Sequence, residues 1–267
     1  MERNNTWDVM SEEEFSKLPL VVEGESKIVR HFGDGLCLIK FKPTVYSYTS
    51  NRCGILPGSD ILRLRATKIF VDVLRASGIP HAYREVGENY ILSELIDHPP
   101  PIEVVVKAFH SGTSKHRYFG MAASRLRPSH PFFAGASFSA DDAYPAPMVR
   151  FDWRNPMRHP ETGARLADEV LGDEMADWFI DTQAARLTAK RVYKSLSDFL
   201  APRDIVLYDL CLFITEDGTT VFGEVSQDCG RFRHFDLGSL DKDVWRAGGS
   251  SEHVLEKWKM LMDMISK

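Results

Sequence analysis

The residues of this sequence that could do chemistry fall into four short clusters. The segment "EVSQDCGR" carries Glu224, Ser226, Asp228 and Arg231. If it begins as a strand, alternation places Glu224 and Ser226 on one face, with Asp228 just beyond them. Such carboxylates could hold Mg²⁺, orient an amine or transfer a proton, and the arginine could bind an anion. A charged turn with an Asp to Arg pair is the alternative interpretation.

The second cluster follows the apolar run "IEVVV". The residues near Gly112 in the sequence are Lys107, Thr113, Lys115, His116 and Arg117. Cations with a hydroxyl group suit a carboxylate or a phosphate. A solvated loop explains the same residues equally well.

The other two clusters are weaker signals. Lys27 in "EGESKIV" could meet a phosphate or only keep an edge strand soluble. Arg246 in "DKDVWRAGG" is either an anion contact or part of a charged helix cap. The sequence has no HExxH, CxxC, GxSxG, Walker or GxGxxG pattern, so we predict no metal ligand from motifs alone.

The composition limits the classes of function. The chain has 267 residues, of which 43% are apolar and 27% charged, as in a globular protein with one large domain or two lobes. The net charge of −5 argues against a nucleic-acid partner. We find no signal-peptide pattern and no apolar run of about 18 residues, so we expect a cytoplasmic protein without a membrane partner.

The predicted elements begin with antiparallel strands. Asp34 and Gly35 between two β-rich stretches favour a hairpin, because both positions tolerate positive φ. A helix follows, capped by Ser59 or Asp60 and ended by Gly78. Two more strands are predicted in "HAYREV" and "NYILSEL".

Three prolines at 99–101 cannot continue a β-ladder and predict the crossing between two lobes. We therefore predict a β-rich lobe with one helix at residues 1–98, an α+β lobe at 99–267, and a cleft between them. Residues 126–163 are rich in Pro, Ser, Ala and Gly and predict a long surface loop.

The second lobe should contain two long helices and a mostly antiparallel sheet. Apolar residues at helical spacing predict helices over about 172–200 and 251–266. Strands are predicted in "IEVVVKAF", "DIVLYDLCLFI" and "TTVFGEVS". The predicted fold class is α+β.

Taken in order, these segments resemble those of SAICAR synthetase (phosphoribosylaminoimidazole-succinocarboxamide synthase), a ligase of the purine pathway. The family's "EGKTKIVY" is matched by "EGESKIVR", its "EVVVRN.A.GS...R" by "EVVVKAFHSGTSKHR" and its "VDFKLEFG" by "YDLCLFIT". Its "DEISPDTCRLWD" and "DKDRFR" are matched by "GEVSQDCGRFRHFD" and "DKDVWR". The matches keep their order over roughly residues 20–250, which makes the set more specific than any one of them.

The resemblance implies two lobes with ATP and magnesium between them. In that family ATP phosphorylates the carboxylate of the ribonucleotide CAIR, and the amine of aspartate then displaces phosphate to give an amide. The resemblance places Lys27 near the nucleotide phosphates, as a cofactor-binding residue. The residues implied to bind the substrate are Lys107, Thr113, Arg117, Ser226, Arg231 and Arg246.

The departures from the family fall on the nucleotide side. Cys211 and Phe213 replace the lysine and the glutamate of "DFKLEFG", and Gly223 replaces the first aspartate of "DEIS". Glu25 replaces the first lysine of the hairpin motif. Because a phenyl ring cannot ligate a hard cation, the sequence predicts a degraded site for ATP and Mg²⁺ beside a retained anion site.

Four functions follow as hypotheses. The leading one is a divergent enzyme that acts on a small anionic, nucleotide-like metabolite in specialised metabolism, with Asp228 and Glu224 as candidate catalytic residues. The second is an ATP-dependent ligase that joins CAIR, or a related carboxylate, to L-aspartate. The third is a non-catalytic metabolite-binding protein. The fourth is an enzyme that performs a rearrangement, elimination or cyclisation, with Asp228 or Glu224 as the proton-transfer group. The sequence leaves open the substrate, the reaction and whether the chain forms a homo-oligomer.

Overall fold

The computed structural model describes residues 7–47, 52–112, 141–163 and 165–267 of the chain. The elements up to residue 94 are α1 (Glu12–Lys17), β1 (Leu20–Glu23), β2 (Lys27–Gly33), β3 (Leu36–Phe41), β4 (Thr44–Ser47), β5 (Arg52–Ile55), α2 (Ser59–Ala76), β6 (Tyr83–Val86) and β7 (Ile91–Glu94).

The elements from residue 102 onward are β8 (Ile102–Phe109), β9 (Ala143–Trp153), β10 (Glu169–Leu171), α3 (Asp173–Ala176), α4 (Thr182–Leu200), β11 (Ile205–Ile214), β12 (Val221–Phe222), β13 (Gly230–His234), β14 (Gly238–Ser239), α5 (Asp243–Arg246) and α6 (Ser251–Ile265). None of the helices in the described ranges is long and apolar enough to cross a membrane.

The first sheet contains five antiparallel strands in the order β1-β2-β3-β7-β6, and β4 and β5 form a separate hairpin. The predicted turn between β2 and β3 is confirmed, since Asp34 and Gly35 have φ of 48° and 71°. The helix predicted to end at Gly78 is confirmed as α2. Its cap was predicted wrongly, because Gly58 precedes the helix and Ser59 is buried within its first turn.

The second sheet has the strand order β10-β9-β8-β11-β13-β14, and β12 pairs with β11. All of these strand pairs are antiparallel. Two antiparallel sheets with helices packed against them confirm the predicted α+β class.

β9 contradicts the loop predicted over 126–163. Residues 126–140 lie outside the described ranges, but β9 pairs with β8 over most of its length. The prolines that suggested a loop, Pro145 and Pro147, are tolerated because β10 pairs only with 151–153. They therefore sit on a stretch of β9 where no ladder bond to β10 is needed.

The single helix predicted over about 172–200 is in fact two helices. α3 has only four residues, and α4 begins after Asp181. The Asp181 carboxylate accepts hydrogen bonds from the backbone amides of Gln183 and Ala184 at 3.0 and 2.9 Å, which starts a new helix. α6 confirms the predicted C-terminal helix, with Ser250 as its N-cap.

The two sheets share one hydrophobic core through α2. Phe70 of α2 stacks on Phe232 of β13 with ring centroids 6.0 Å apart. α2 also packs against α4 and α6. Buried side chains from both sheets, such as Ile39 and Val104, belong to this core. The boundary between residues 98 and 99 stays a prediction, but the shared core holds the two sheets on either side of a cleft.

Candidate functional site

One face of the second sheet forms the floor of a cleft of about 540 Å³. In β11, Asp209, Cys211 and Phe213 line this cleft, whereas Leu210 between them packs in the core. The period of two in a strand explains the alternation. The segment "YDLCLF" therefore places three cleft residues on one face.

Strand register arranges the floor in three rows. Lys107 lies opposite Asp209, and Leu212 lies opposite Val104, so the same register continued by one residue puts Phe213 beside Glu103. The rows are Lys107, Asp209 and Arg231; then Arg150, Val105 and Cys211; then Asp152, Glu103 and Phe213. Met148 lies opposite Lys107 on β9 but does not line the cleft, so the first-row residues that line it are all charged, whereas Val105 and Cys211 make the centre of the floor apolar.

The first row and α5 form a network of charges that we call the anion end. Lys107 Nζ lies 3.4 Å from Asp209 Oδ2, and Arg231 Nη1 donates to the same oxygen. Arg231 Nε lies 3.4 Å from Asp243 Oδ1, which also pairs with Arg246. The anion end comprises Lys107, Asp209, Arg231, Arg233, Asp241, Asp243 and Arg246. Among the described residues, four cations thus face three carboxylates, and one added anion would balance them.

Gly112 brings the backbone next to these cations. An ideal Cβ on Gly112 would lie 3.3 Å from Lys107 Nζ and 3.7 Å from each terminal nitrogen of Arg231. Its φ of 115° also favours glycine. Lys107 Nζ donates to the carbonyl oxygen of Ser111 at 2.7 Å. The absence of a side chain therefore leaves space beside two cations.

At the anion end the cations lower the pKa of Asp209, whereas burial and then the Asp243 carboxylate raise the pKa of Asp241. Burial alone would raise the pKa of Asp209, but Arg231 and Lys107 hold it below its ordinary value. Burial lowers the pKa of Lys107, and Asp209 offsets part of that effect. The carboxylate therefore serves to keep two cations in place.

At the opposite side of the cleft, a buried ion pair joins α2 to the segment after β12. The Arg63 guanidinium donates from Nε to Glu224 Oε1 at 2.8 Å and from Nη2 to Oε2 at 2.6 Å. Arg63 is fully buried, and its Nη1 also donates to the carbonyl oxygens of Ser26 and Lys42. Arg63 thus ties β2, β3 and α2 to Glu224.

Glu224 has partners on both carboxylate oxygens. Ser226 Oγ donates to Oε1 at 2.5 Å, and Lys27 Nζ lies 3.9 Å from Oε2. Burial would raise the pKa of Glu224, but Arg63 lowers it below its ordinary value. The carboxylate is therefore held as an anion between two fixed cations.

Phe213 and Gly223 fit each other at this side of the cleft. An ideal Cβ on Gly223 would lie 2.9 Å from Phe213 Cδ2, and Gly223 has a φ of 80°. Lys27 Nζ lies 5.0 Å from the centroid of the Phe213 ring, and Arg154 Cζ lies 4.8 Å from it. The ring thus occupies the space that a side chain at 223 would need, and it contacts two cations. We call Lys27, Arg63, Phe213, Gly223 and Glu224 the closed end.

Gly223 also explains why β12 is shorter than predicted. The strand "TTVFGEVS" was expected to continue to Ser226, but the positive φ of Gly223 ends it after Phe222. The predicted proximity of Glu224 and Ser226 is nevertheless confirmed by their hydrogen bond. Local side-chain bonding, rather than strand alternation, brings them together.

Glu103 lies in the third row and has few partners. Its nearest cation is Arg154, whose Nε lies 4.0 Å from Glu103 Oε1, and its side chain is 22% exposed. Burial, followed by the Asp168 carboxylate, raises the pKa of Glu103. The neighbouring carboxylates are more strongly held, because Asp152 accepts two bonds from Arg150 at 2.7 Å. Glu103 therefore presents a weakly paired carboxyl group to the cleft.

Asp228 also lines the cleft. Its Oδ1 lies 2.9 Å from Lys242 Nζ, and its side chain is 14% exposed. Ser226 accepts a hydrogen bond from the Asp228 backbone amide at 3.1 Å, which begins a single turn of 3₁₀ helix. Asp228 is thus fixed in place while facing the cavity.

The thiols in the cleft are neutral at physiological pH. Burial, followed by the Glu103 carboxylate, raises the pKa of Cys211 well above its ordinary value. Burial also raises the pKa of Cys229 to about 12. Both cysteines therefore act as small apolar side chains.

The structure brings most of the predicted site residues into one cleft. Of the predicted residues, Lys27, Lys107, Glu224, Asp228, Arg231 and Arg246 line it. Ser226 lies behind it, fully buried. Thr113 and Arg117 lie outside the described residues, so their predicted contacts are not tested.

Several site residues were missed from the sequence. Arg63 has a visible signal, because it precedes Thr67, Phe70 and Leu74 on the buried stripe of α2. The position of Asp209 in the cleft follows from the alternation of side chains in β11, which puts it on the same face as Cys211 and Phe213. Glu103 carries no such signal, since its role depends on which strands and loops meet at the cleft.

No group of three or more His, Cys, Asp or Glu side chains among the described residues is arranged to hold a metal ion. At the positions where the family resemblance implies acidic ligands, the chain has Phe213 and Gly223. Neither side chain offers an oxygen to Mg²⁺.

The chain is similar to proteins of two kinds. A bifunctional cordycepin biosynthesis cluster protein 3 from Cordyceps militaris is 28% identical over 93% of this chain, which spans only 33% of that protein. The phosphoribosylaminoimidazole-succinocarboxamide synthase of Sulfolobus acidocaldarius is 25% identical over 92% of this chain and 98% of its own length.

Solved structures and the family sequence model agree with these matches. The crystal structure of the synthase of the same name from Ehrlichia chaffeensis has a TM-score of 0.74 at 17% identity, covering 92% of this chain and 98% of that one. The sequence model of SAICAR synthetase matches residues 20–263. A match over that much of the chain, on the fold described above, shows that this chain belongs to the SAICAR synthetase family.

Proposed function

We propose that this chain is an enzyme that binds a small anionic, nucleotide-like metabolite and converts it without the ATP and magnesium chemistry of its family. The observation that carries the proposal is the fit between Phe213 and Gly223. Two positions implied to serve Mg²⁺ hold an aromatic ring and the glycine that makes space for it. Such a pair would not arise from loss of either carboxylate alone.

The closed end does not suit a magnesium nucleotide. Glu224 is a remaining carboxylate there, but Arg63 occupies it with two hydrogen bonds. Lys27, which the resemblance places near the nucleotide phosphates, instead contacts the Phe213 ring and Glu224. We therefore derive no step through ATP or Mg²⁺.

The anion end supports binding of a phosphate or carboxylate group. Its cations outnumber its carboxylates by one, and Gly112 leaves space beside Lys107 and Arg231. Charge-assisted hydrogen bonds from such groups are short and strong. We propose that Lys107, Arg231 and Arg246 bind the anionic group of the substrate.

We propose Asp228 as the proton-transfer residue and Glu224 as a positioning residue. Asp228 faces the cleft and, within the part of the chain that the structure describes, forms one ion pair, to Lys242. Glu224, in contrast, has partners on both oxygens and a lowered pKa, so it is a poor proton acceptor. An isomerisation, elimination or cyclisation would need only such an acid or base and an oriented substrate.

Specialised metabolism is the setting that we propose for this reaction. The support is the similarity to a protein named for a cordycepin biosynthesis cluster, of which this chain spans about a third. A cytoplasmic location remains part of the proposal.

The ordinary ligase activity is the second candidate, because relatives named for it match nearly their whole length. Incubation of the protein with CAIR, L-aspartate, ATP and Mg²⁺ separates the two. Our proposal predicts neither ADP nor the amide at high enzyme concentration. Formation of both products in equal amounts would reject it.

Binding experiments test the proposal that the anion end binds a phosphate or carboxylate group. Ribose 5-phosphate should raise the melting temperature of the wild type, since a ligand that binds only the folded state stabilises it. A non-catalytic binding protein would behave in the same way. Conversion of a metabolite that is lost in Asp228→Asn, with binding retained, would distinguish the enzyme from the binder.

A further inference from the structure

We infer that the centre of the cleft floor seats an uncharged planar ring of the substrate, with its anionic group at the anion end and its far edge against Glu103. This inference rests on the proposed function, because it assumes that the cleft binds an anionic metabolite. It adds the chemical class of the ring: a heterocycle without a carboxylate.

The middle row of the floor is the first argument. Val105 lies opposite Cys211, and both line the cleft. The Cys211 thiol is neutral because of its burial. Two small apolar side chains side by side on a sheet form a flat surface, which suits a planar ring more than a charged group.

The middle row of the cleft floor also disfavours a charged substituent on the substrate ring. Its third member, Arg150, donates from Nε and Nη2 to Asp152 at 2.7 Å, so this cation is already neutralised by a carboxylate. A ring carboxylate above Val105 and Cys211 would lose water, and the cation of this row already has a carboxylate partner. A ring that carries an amide, or no substituent, would not require the desolvation of a charged group.

The length of the floor matches a phosphorylated ring compound. Glu103 and Lys107 are four residues apart on β8, which corresponds to about 13 Å at the usual rise per residue of a strand. A free phosphate or an amino acid would reach only one end of that distance. A sugar phosphate carrying a ring can reach from the cations to Glu103.

Glu103 provides the contact at the far edge. It is weakly paired, at 4.0 Å from Arg154, and partly exposed to the cleft. The groups that interact with it electrostatically are Asp168, Arg154, Asp152 on β9, Lys242 and the Cys211 thiol on β11. Whether it is protonated or ionised, its carboxyl group can accept a hydrogen bond from a ring N–H or amide N–H.

Two ligands that differ in one group test the inference. CAIR carries a carboxylate on its imidazole ring, and the corresponding carboxamide ribonucleotide carries an uncharged amide in the same place. By isothermal titration calorimetry at pH 7.5, the carboxamide should bind the wild type at least about tenfold more tightly than CAIR. Equal affinities, or tighter binding of CAIR, would overturn the inference.

Variants of the floor locate the effect. Cys211→Lys should reduce or reverse the preference for the carboxamide, because it places a cation under the ring. Cys211→Ser is the matched control and should keep the preference. Glu103→Ala should weaken binding of the carboxamide ribonucleotide about fivefold or more. The affinity for ribose 5-phosphate should stay unchanged, since that ligand has no ring at the far edge.

Ribose 5-phosphate distinguishes failure of the inference from failure of the proposed function. If neither ribonucleotide nor ribose 5-phosphate binds the folded wild type, both are wrong. If ribose 5-phosphate binds as tightly as the carboxamide ribonucleotide, the ring makes no contact and only the inference is wrong. Melting temperatures of the variants establish that each one is folded.

Discussion

The two ends of the cleft both contain buried cations beside carboxylates, but they differ in what those charges leave available. At the anion end four cations share three carboxylates around an open glycine. At the closed end Arg63 and Lys27 converge on Glu224, and Phe213 fills the adjoining space. The same kinds of residue thus form a ligand site in one place and a structural contact in the other.

The number of charged residues therefore does not by itself identify a ligand-binding site. Glu224 is held by Arg63 in a geometry that joins two parts of the fold, so its charge serves stability. Asp209 is equally buried, but it positions Lys107 and Arg231 toward the cleft. What decides the role is the space beside the charges.

The largest expected effect of a single change is the loss of Arg63. Arg63→Ala leaves the buried Glu224 with the Ser226 hydroxyl and with Lys27 at 3.9 Å, so the free energy of unfolding should fall by about 3–5 kcal/mol. Urea denaturation measures it. Lys194→Ala, which removes an exposed pair with Asp198, is the control and should change stability little. A small loss in the Arg63 variant would show that the closed end is not a structural contact.

Gly223 should be the next most sensitive position. Gly223→Ala places a Cβ near Phe213 at a φ of 80°, and should destabilise the protein by about 1–3 kcal/mol. Gly248→Ala is the matched control, because its φ is 90° but no atom lies within 4 Å of its ideal Cβ. Thermal unfolding should show the larger loss at Gly223. Equal losses would mean that only the backbone conformation matters there.

Restoring the two carboxylates of the family tests whether their replacement by Phe213 and Gly223 removed a magnesium site at the closed end. In Phe213→Glu combined with Gly223→Asp, two acidic side chains return beside Glu224, and Mg²⁺ should raise the melting temperature of the double variant but not of the wild type. Phe213→Gln combined with Gly223→Asn is the uncharged control. An equal response in all three proteins would contradict the interpretation.

Arg246 tests the anion end. Its side chain is 19% exposed, and Arg231 and Arg233 still pair with Asp243 in its absence, so Arg246→Gln should remain folded. Affinity for ribose 5-phosphate should fall about tenfold in calorimetry, as expected for a lost charge-assisted hydrogen bond. Arg158→Gln removes an exposed cation outside the cleft lining and should leave affinity unchanged. The same loss in both variants would indicate only a general effect of charge.

The smallest effect is expected at Glu103 and depends on pH. Burial and the Asp168 carboxylate raise its pKa in the folded state, so the folded protein holds a proton that the unfolded chain releases. This contribution to stability is complete below the unfolded pKa and is lost as the pH rises through the folded pKa. Glu103→Gln should therefore match the wild type at low pH and exceed its stability at neutral pH. Urea denaturation at several pH values, with Glu256→Gln as control, measures the difference.

The helices and strands were predicted from the sequence more accurately than the tertiary contacts between them. The Asp34-Gly35 turn and α2 follow from turn chemistry and apolar spacing, which are local properties. β9 was missed because its prolines are tolerated only where the neighbouring strand ends, and that depends on tertiary pairing. The break before α4 depends on the Asp181 cap within a continuous apolar pattern.

The candidate site shows the same limit. Lys107, Asp228 and Arg231 were predicted from their types and from the family resemblance, and they meet in one cleft. The Arg63 contact with Glu224 spans elements far apart in the chain, so no local pattern pairs them. The fit of Phe213 against Gly223 likewise required the geometry of β11 and β12.

The most direct test of the account is calorimetry of the wild-type protein with ADP, with and without Mg²⁺, beside a titration with ribose 5-phosphate. We expect saturable binding of ribose 5-phosphate and no magnesium-dependent binding of ADP up to about 1 mM. Magnesium-dependent binding of ADP at micromolar concentration, lost in Lys27→Gln, would contradict it and restore a nucleotide site at the closed end.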